Sequence, residues 1–269
     1  MKMKRSEKLG MLTGLVVGVL LLLISVFMIF QTTCKVWGAE KPANATQQGI
    51  DVSSHQGKID WEQVKNSALA DYAIIRCGYG VNQTDKDDKY WDYNSSECER
   101  LGIPYGTYLY SGADTTAKAK SEAEHVVRLL QGKNLTYPIY YDMEADMLNQ
   151  LSSTQIGNIA KTFLNTMESY GYKNVAVYSN KYLFETKLTA SVFSDYPKWI
   201  AQHSNKCTYQ GSYHMWQYST QGVIPGISEK VDLNYKIGNW TYAGYSSAKK
   251  TVVVKPKATT IKSLRKSGK

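Results

Sequence analysis

Asp142 and Glu144 stand one residue apart in the segment Tyr137-Pro138-Ile139-Tyr140-Tyr141-Asp142-Met143-Glu144. The preceding residues are apolar or aromatic and read as a short strand. Strand residues i and i+2 point to the same face, so the two carboxylates project together from one strand end. Acids are seldom placed beside a core unless they are paired or working. Crowded carboxylates also push one pKa upward, which is what a general acid needs at neutral pH.

The elements that must position this pair follow from periodicity. Eight short runs rich in Val, Ile, Tyr and Trp read as strands: 49–52, 72–76, 105–110, 138–141, 175–178, 198–201, 215–218 and 231–233. Helical patterns separate the early runs. The first, 59–70, opens near Asp60, and the second, 90–101, stops at Gly102. The third, 115–130, aligns Ala119, Ala123, Val126, Val127 and Leu130. The fourth, 152–170, aligns Ile156, Ile159, Ala160, Phe163 and Met167 before Gly171. Strands alternating with helices predict a parallel sheet covered by helices. Eight strands in this length predict a closed (β/α) barrel of TIM-like type whose last helices are reduced. An open doubly wound sheet is the alternative, but no Gly-rich loop follows the first strand.

In such a barrel function sits at the C-terminal strand ends. That rule gathers Asp51, Arg76, Tyr108, Tyr110, Asp142, Glu144, Tyr178, Trp216, Gln217 and Asp232 around one cleft. Arg76 is expected to pair with an acid or to contact substrate. Acids among aromatic rings suit carbohydrate, because rings stack on apolar sugar faces while acids bind hydroxyls and move protons.

The formal charge of +9 is unevenly placed. Residues 1–8 carry +3 and residues 249–269 carry +8, which leaves −2 on the remainder. A near-neutral fold argues against a nucleic-acid partner, which requires a basic face on the fold itself. Residues 9–30 contain no charged side chain, and 22 residues suffice to cross a bilayer as a helix. Positive charge precedes the run, so the N-terminus is expected to stay inside and the rest to be exported. The predicted organisation is a basic cytoplasmic stub at 1–8, a single-pass signal-anchor at 9–30, a linker at 31–47, a barrel at 48–240 and a basic tail at 241–269. The alternative is secretion after cleavage near Ala43-Asn44-Ala45. Among the four cysteines, Cys34, Cys77, Cys98 and Cys207, Cys77 with Cys98 is a candidate disulfide and free thiols are the alternative. No His/Cys cluster has zinc spacing, so neither metal nor cofactor is expected.

Four motifs in order resemble a known family. Gly49-Ile50-Asp51-Val52-Ser53-Ser54-His55-Gln56-Gly57 is similar to the opening strand of the family 25 glycoside hydrolases, the Chalaropsis-type lysozymes. Tyr140 to Glu144 resembles their Asp-x-Glu strand. Met215-Trp216-Gln217-Tyr218 and Val231-Asp232-Leu233-Asn234 resemble their seventh and eighth strands. The resemblance covers about 48–240. It implies a barrel with five helices and three trailing strands, and cleavage of the β-1,4 bond after N-acetylmuramic acid in peptidoglycan. Glu144 would be the general acid, and Asp142 would assist the substrate's own 2-acetamido group as nucleophile. Asp51 and Asp232 would line the cleft, tuning Glu144, holding sugar or positioning a water. The stereochemical outcome stays open. Family 18 chitinases carry a longer Asp-x-x-Asp-x-Asp-x-Glu strand, of which only Asp142 and Glu144 match here. A non-catalytic glycan-binding module is the other alternative.

Overall fold

The structure, a computed structural model, describes residues 17–19 and 39–241. The expected anchor, apart from a helical fragment at 17–19, lies outside the described residues, as do the stub and the tail beyond 241. Among the described residues no helix is long and apolar enough to cross a membrane.

Eight strands close into a barrel in chain order. They are β1 Ala45–Val52, β2 Tyr72–Tyr79, β3 Tyr105–Tyr110, β4 Ile139–Asp142, β5 Val175–Asn180, β6 Lys198–Ala201, β7 Met215–Gly222 and β8 Val231–Ile237. Strands β1 to β7 pair in parallel, but β8 runs antiparallel to both β7 and β1. The parallel sheet expected from the alternation therefore ends at β7. The reason is chain length: residues 223–230 are too few for a crossover, so β8 returns as a hairpin partner. β1 also begins earlier than expected, inside the predicted linker. Ala45–Gln48 form ladder pairs with the end of β8.

The first four crossovers carry α1 Trp61–Ser67, α2 Trp91–Leu101, α3 Thr116–Leu129 and α4 Ser153–Ser169. The fifth carries two short helices, α5 Lys181–Thr186 and α6 Val192–Asp195. Caps set the ends. Asp60 accepts from the Gln63 N–H, Thr115 from Lys118 N–H, and Ser152 forms a reciprocal capping box with Gln155. The expected apolar stripes of α3 and α4 are buried against the sheet. The last strands are joined without α-helices.

Inward-facing residues fill the barrel. Tyr72, Ile74, Tyr140, Tyr178, Trp199 and Met215 form one buried cluster. Trp199 sits at its centre, with its ring 4.3 Å from Tyr178, 4.9 Å from Tyr140 and 6.3 Å from Tyr108. Its indole N–H is donated to Asn234 Oδ1 at 2.8 Å, which satisfies the polar end of a fully buried ring. Cys77 and Cys98 are buried and free, and Cys207 is free as well. The candidate disulfide is thus absent, and the Cys77 thiol donates to the Tyr108 carbonyl instead.

Gly49 faces inward two residues before Asp51. A Cβ there would stand 2.4 Å from the Tyr72 ring, so the missing side chain is what lets Tyr72 fill the floor. Gly49→Ala is expected to lower stability by about 1–3 kcal/mol through overpacking. Urea unfolding of the variant measures this, and an unchanged midpoint would contradict it.

Candidate active site

Each acid of the cleft is placed by an element already described. β1 and β8 are antiparallel neighbours, and their register sets Asp51 directly against Asp232. β7 and β8 likewise oppose Gln217 and Asn234. Strand alternation turns all four inward at the C-terminal rim of the parallel strands. Asp51 Oδ2 accepts from Asn234 Nδ2 at 2.7 Å and from Gln217 Nε2 at 3.0 Å. Gln217 Nε2 also lies 3.4 Å from Asp232 Oδ2.

Two carboxyls facing each other cannot both ionise cheaply. Burial, then the Asp51 charge, then its hydrogen bond to Asp51, push Asp232 up to about 9. Burial also raises Asp51, but hydrogen bonds from Asn234, Gln217 and Asp232 work in the opposite direction. The arrangement suits one shared proton, with Asp232 as the donor and Asp51 as the acceptor.

Asp142 ends β4 and is 3% exposed. Glu144 lies two residues further and is half-buried. The segment between them is pinned to its neighbours. Met143 N–H donates to Tyr178 O at 2.9 Å, Ser179 Oγ donates to Met143 O at 2.5 Å, and Ser111 N–H donates to Asp142 O at 2.9 Å. Behind the strand, fully buried Glu122 of α3 accepts from Tyr141 OH at 2.6 Å, Ser111 Oγ at 2.9 Å and Gly112 N–H at 2.8 Å. These bonds tie the β3 and β4 ends together.

Asp142 Oδ1 is buried and has no hydrogen-bond partner. Buried polar atoms are rarely left this way, and a ligand group is one reason for an exception. Burial holds Asp142 well above the usual carboxylate range, reinforced by the Glu144 and Asp51 charges and opposed by Arg76. Burial likewise raises Glu144, then the Asp51 charge, with His203 opposing. One cleft thus contains an acid able to hold a proton and a second carboxyl with a free, dehydrated oxygen.

The other expected residues divide. Tyr108 and Tyr178 face the interior beside Trp199. Tyr110 is partly exposed at the rim, where Asp142 and Glu144 raise it after burial does. Arg76 is engaged by Asp88, at 2.8 Å, and by Ser54 Oγ, at 2.8 Å, rather than by any of the four cleft acids. Trp216 is fully buried on the opposite face of β7 from Gln217. Its indole N–H goes to Gln202 O at 2.8 Å, and its ring packs on Tyr218 and Tyr235, so it offers no face to the cleft. Gln217 is a buried hub. Asp88 and His203 were not expected at the site. Asp88 sits in an ordinary polar run after β2, and His203 in the irregular loop after β6, so neither had a periodic signal.

The sequence matches the family described as Glycosyl hydrolases family 25 over residues 50–227. The chain belongs to this family. It is a glycoside hydrolase by that membership. Among family 25 relatives, the autolytic lysozyme of Clostridium acetobutylicum is 30% identical over 188 residues, which are 70% of this chain and 55% of that protein. The modular autolysin LytC of Streptococcus pneumoniae has 33% identity and a TM-score of 0.65, over 70% of this chain and 46% of its own. The chain thus spans about half the length of these two relatives. A family 25 glycosyl hydrolase from Bacillus anthracis, 21% identical with a TM-score of 0.65, covers 75% of this chain and 94% of its own, and shares the fold.

The raised acids give a stability prediction. A carboxyl whose folded pKa is raised stabilises the fold while protonated. That contribution is present below about 4 and lost as pH rises through about 9 for Asp232. Asp232→Asn keeps a donor toward Asp51 without titrating. It should flatten the loss of thermal stability between those pH values and be the more stable protein at pH 9. Parallel melting curves for variant and wild type would sink the idea.

Proposed function

We propose that this family 25 chain is a muramidase that cuts the β-1,4 bond between N-acetylmuramic acid and N-acetylglucosamine in peptidoglycan. The observation that carries the reading is the pairing of proton-holding Glu144 with the unpartnered, buried Oδ1 of Asp142. Two relatives support the substrate class: one is named an autolytic lysozyme, and the pneumococcal autolysin has been solved with a synthetic peptidoglycan ligand.

The chemistry follows from the two environments. In the open cleft, burial raises both Asp142 and Glu144, so a proton is readily held between them. An acetamido N–H donated to Asp142 Oδ1 favours its charged form and so loads the shared proton onto Glu144. Glu144 then protonates the glycosidic oxygen as the bond to the sugar's C1 breaks. The acetamido oxygen attacks C1, and Asp142 holds the N–H as positive charge develops on that group. Glu144, now ionised, takes a proton from the water that opens the cyclic intermediate. Tyr110 and Tyr178 border this space as candidate sugar contacts. Charge at Asp51 favours the protonated form of Glu144 throughout. The uncharged run at residues 9–30 would tether this activity on the outer side of a membrane.

Digestion of purified peptidoglycan with the full chain is expected to release new N-acetylmuramic acid reducing ends. Reducing N-acetylglucosamine would refute the bond assignment. Glu144→Gln should lose about 10²–10⁴-fold in kcat while still binding glycan. Full turnover in that variant would remove Glu144 from the acid role. For the tether, recovery of the protein in the medium without residues 1–45 would overturn the anchor.

A further inference from the structure

Gln217 was expected among the residues around the cleft, but its surroundings leave its side chain no capacity to bind sugar. A carboxamide has two N–H donors and an oxygen with two acceptor sites. Gln217 Nε2 faces Asp51 Oδ2 at 3.0 Å and Asp232 Oδ2 at 3.4 Å. Its Oε1 accepts from Tyr178 OH at 2.9 Å and lies 3.0 Å from His203 Nε2. All four capacities are used by protein groups, and the side chain is 3% exposed.

The polarity of this network is set at its far end. The Trp199 indole can only donate, so Asn234 Oδ1 must accept and Asn234 Nδ2 must donate. That amide N–H falls on Asp51 Oδ2. Two amide donors, Asn234 and Gln217, therefore converge on one carboxylate oxygen.

We propose that Gln217 is a positioning residue rather than a sugar ligand, holding Asp51 as a charged acceptor within electrostatic reach of Glu144. The inference rests on Glu144 being the acid of the proposed reaction. The titratable and charged groups facing this centre are Tyr72 and Arg76 from β2, Tyr108 from β3, Asp142 and Glu144 from β4, Tyr178 from β5, His203 after β6, and Asp51 and Asp232 from β1 and β8. Arg76 is already committed to Asp88, and the Tyr178 proton to Gln217. Removing the Gln217 donor makes Asp51 easier to protonate. Loss of the Asp51 charge then lets Glu144 give up its proton at lower pH.

The test is a direct titration of Glu144 by the ¹³Cδ shift in the full chain, assigned with Glu144→Gln. Gln217→Met is expected to lower the Glu144 midpoint by about half a pH unit or more. Asp51→Asn should lower it similarly, and the double variant should show no further shift. An unchanged midpoint in Gln217→Met, or full additivity with Asp51→Asn, overturns the proposal. Should Gln217→Met not fold, Gln217→Asn keeps the polarity and loses the reach, and is held to the same two outcomes. The titration needs no substrate, so it stands apart from the peptidoglycan digestion that decides the muramidase reading. On a substrate the enzyme turns over, the alkaline limb of kcat/KM should move down with the Glu144 midpoint while KM stays near wild type. A purely structural role would leave that limb in place.

Discussion

The antiparallel closure between β8 and β1 is the constraint on which the site depends. A barrel of parallel strands could close with another parallel strand, but the short return after β7 forbids it. Closure in the opposite sense fixes a register in which Asp51 and Asp232 oppose each other. Like charges directly across a ladder repel. The structure meets that repulsion with one shared proton and two amide donors, from Asn234 and Gln217. Trp199 fixes the Asn234 amide from inside the barrel. Core packing and site electrostatics are therefore one network, and the charge near Glu144 is set by residues on the far side of the barrel.

Much of this was legible in the residues. Eight β-rich runs and four helical stripes are strong periodic signals, and caps such as Asp60 and Ser152 mark helix starts locally. The rule that function gathers at C-terminal strand ends placed Asp51, Asp142, Glu144 and Asp232 together without any contact being known. What escaped is non-local or depends on the strand face. Trp216 and Gln217 are adjacent, and only alternation in the closed barrel sends one outward and the other to the centre. Asp88 reaches Arg76 through a fold of the β2–α2 loop that no local pattern announces. The run-on of β1 to Ala45 is visible only once β8 is there to pair with it.

The site is also where the fold is least at ease. Asp142 keeps an oxygen buried without a partner, and Asp232 is held far from its usual pKa. Such groups oppose folding when charged. Around them the structure is redundant: Glu122 and Ser111 fasten the β3–β4 edge, and Ser179 of β5 fastens the other side of β4. Glu122 is itself a buried acid raised by burial, yet it accepts three hydrogen bonds as part of the frame. Two buried acids, Glu122 on α3 and Asp142 at the end of β4, thus serve opposite ends. One is saturated and holds the backbone, while the other is left wanting and faces the cleft.

The packed interior has a consequence for how a polymer can be handled. With Tyr72, Tyr140 and Trp199 stacked below the acids, the barrel is a bowl with a solid floor and not a tube. A long strand cannot thread it. It can only be laid across the rim, so any interior bond is as reachable as a terminal one.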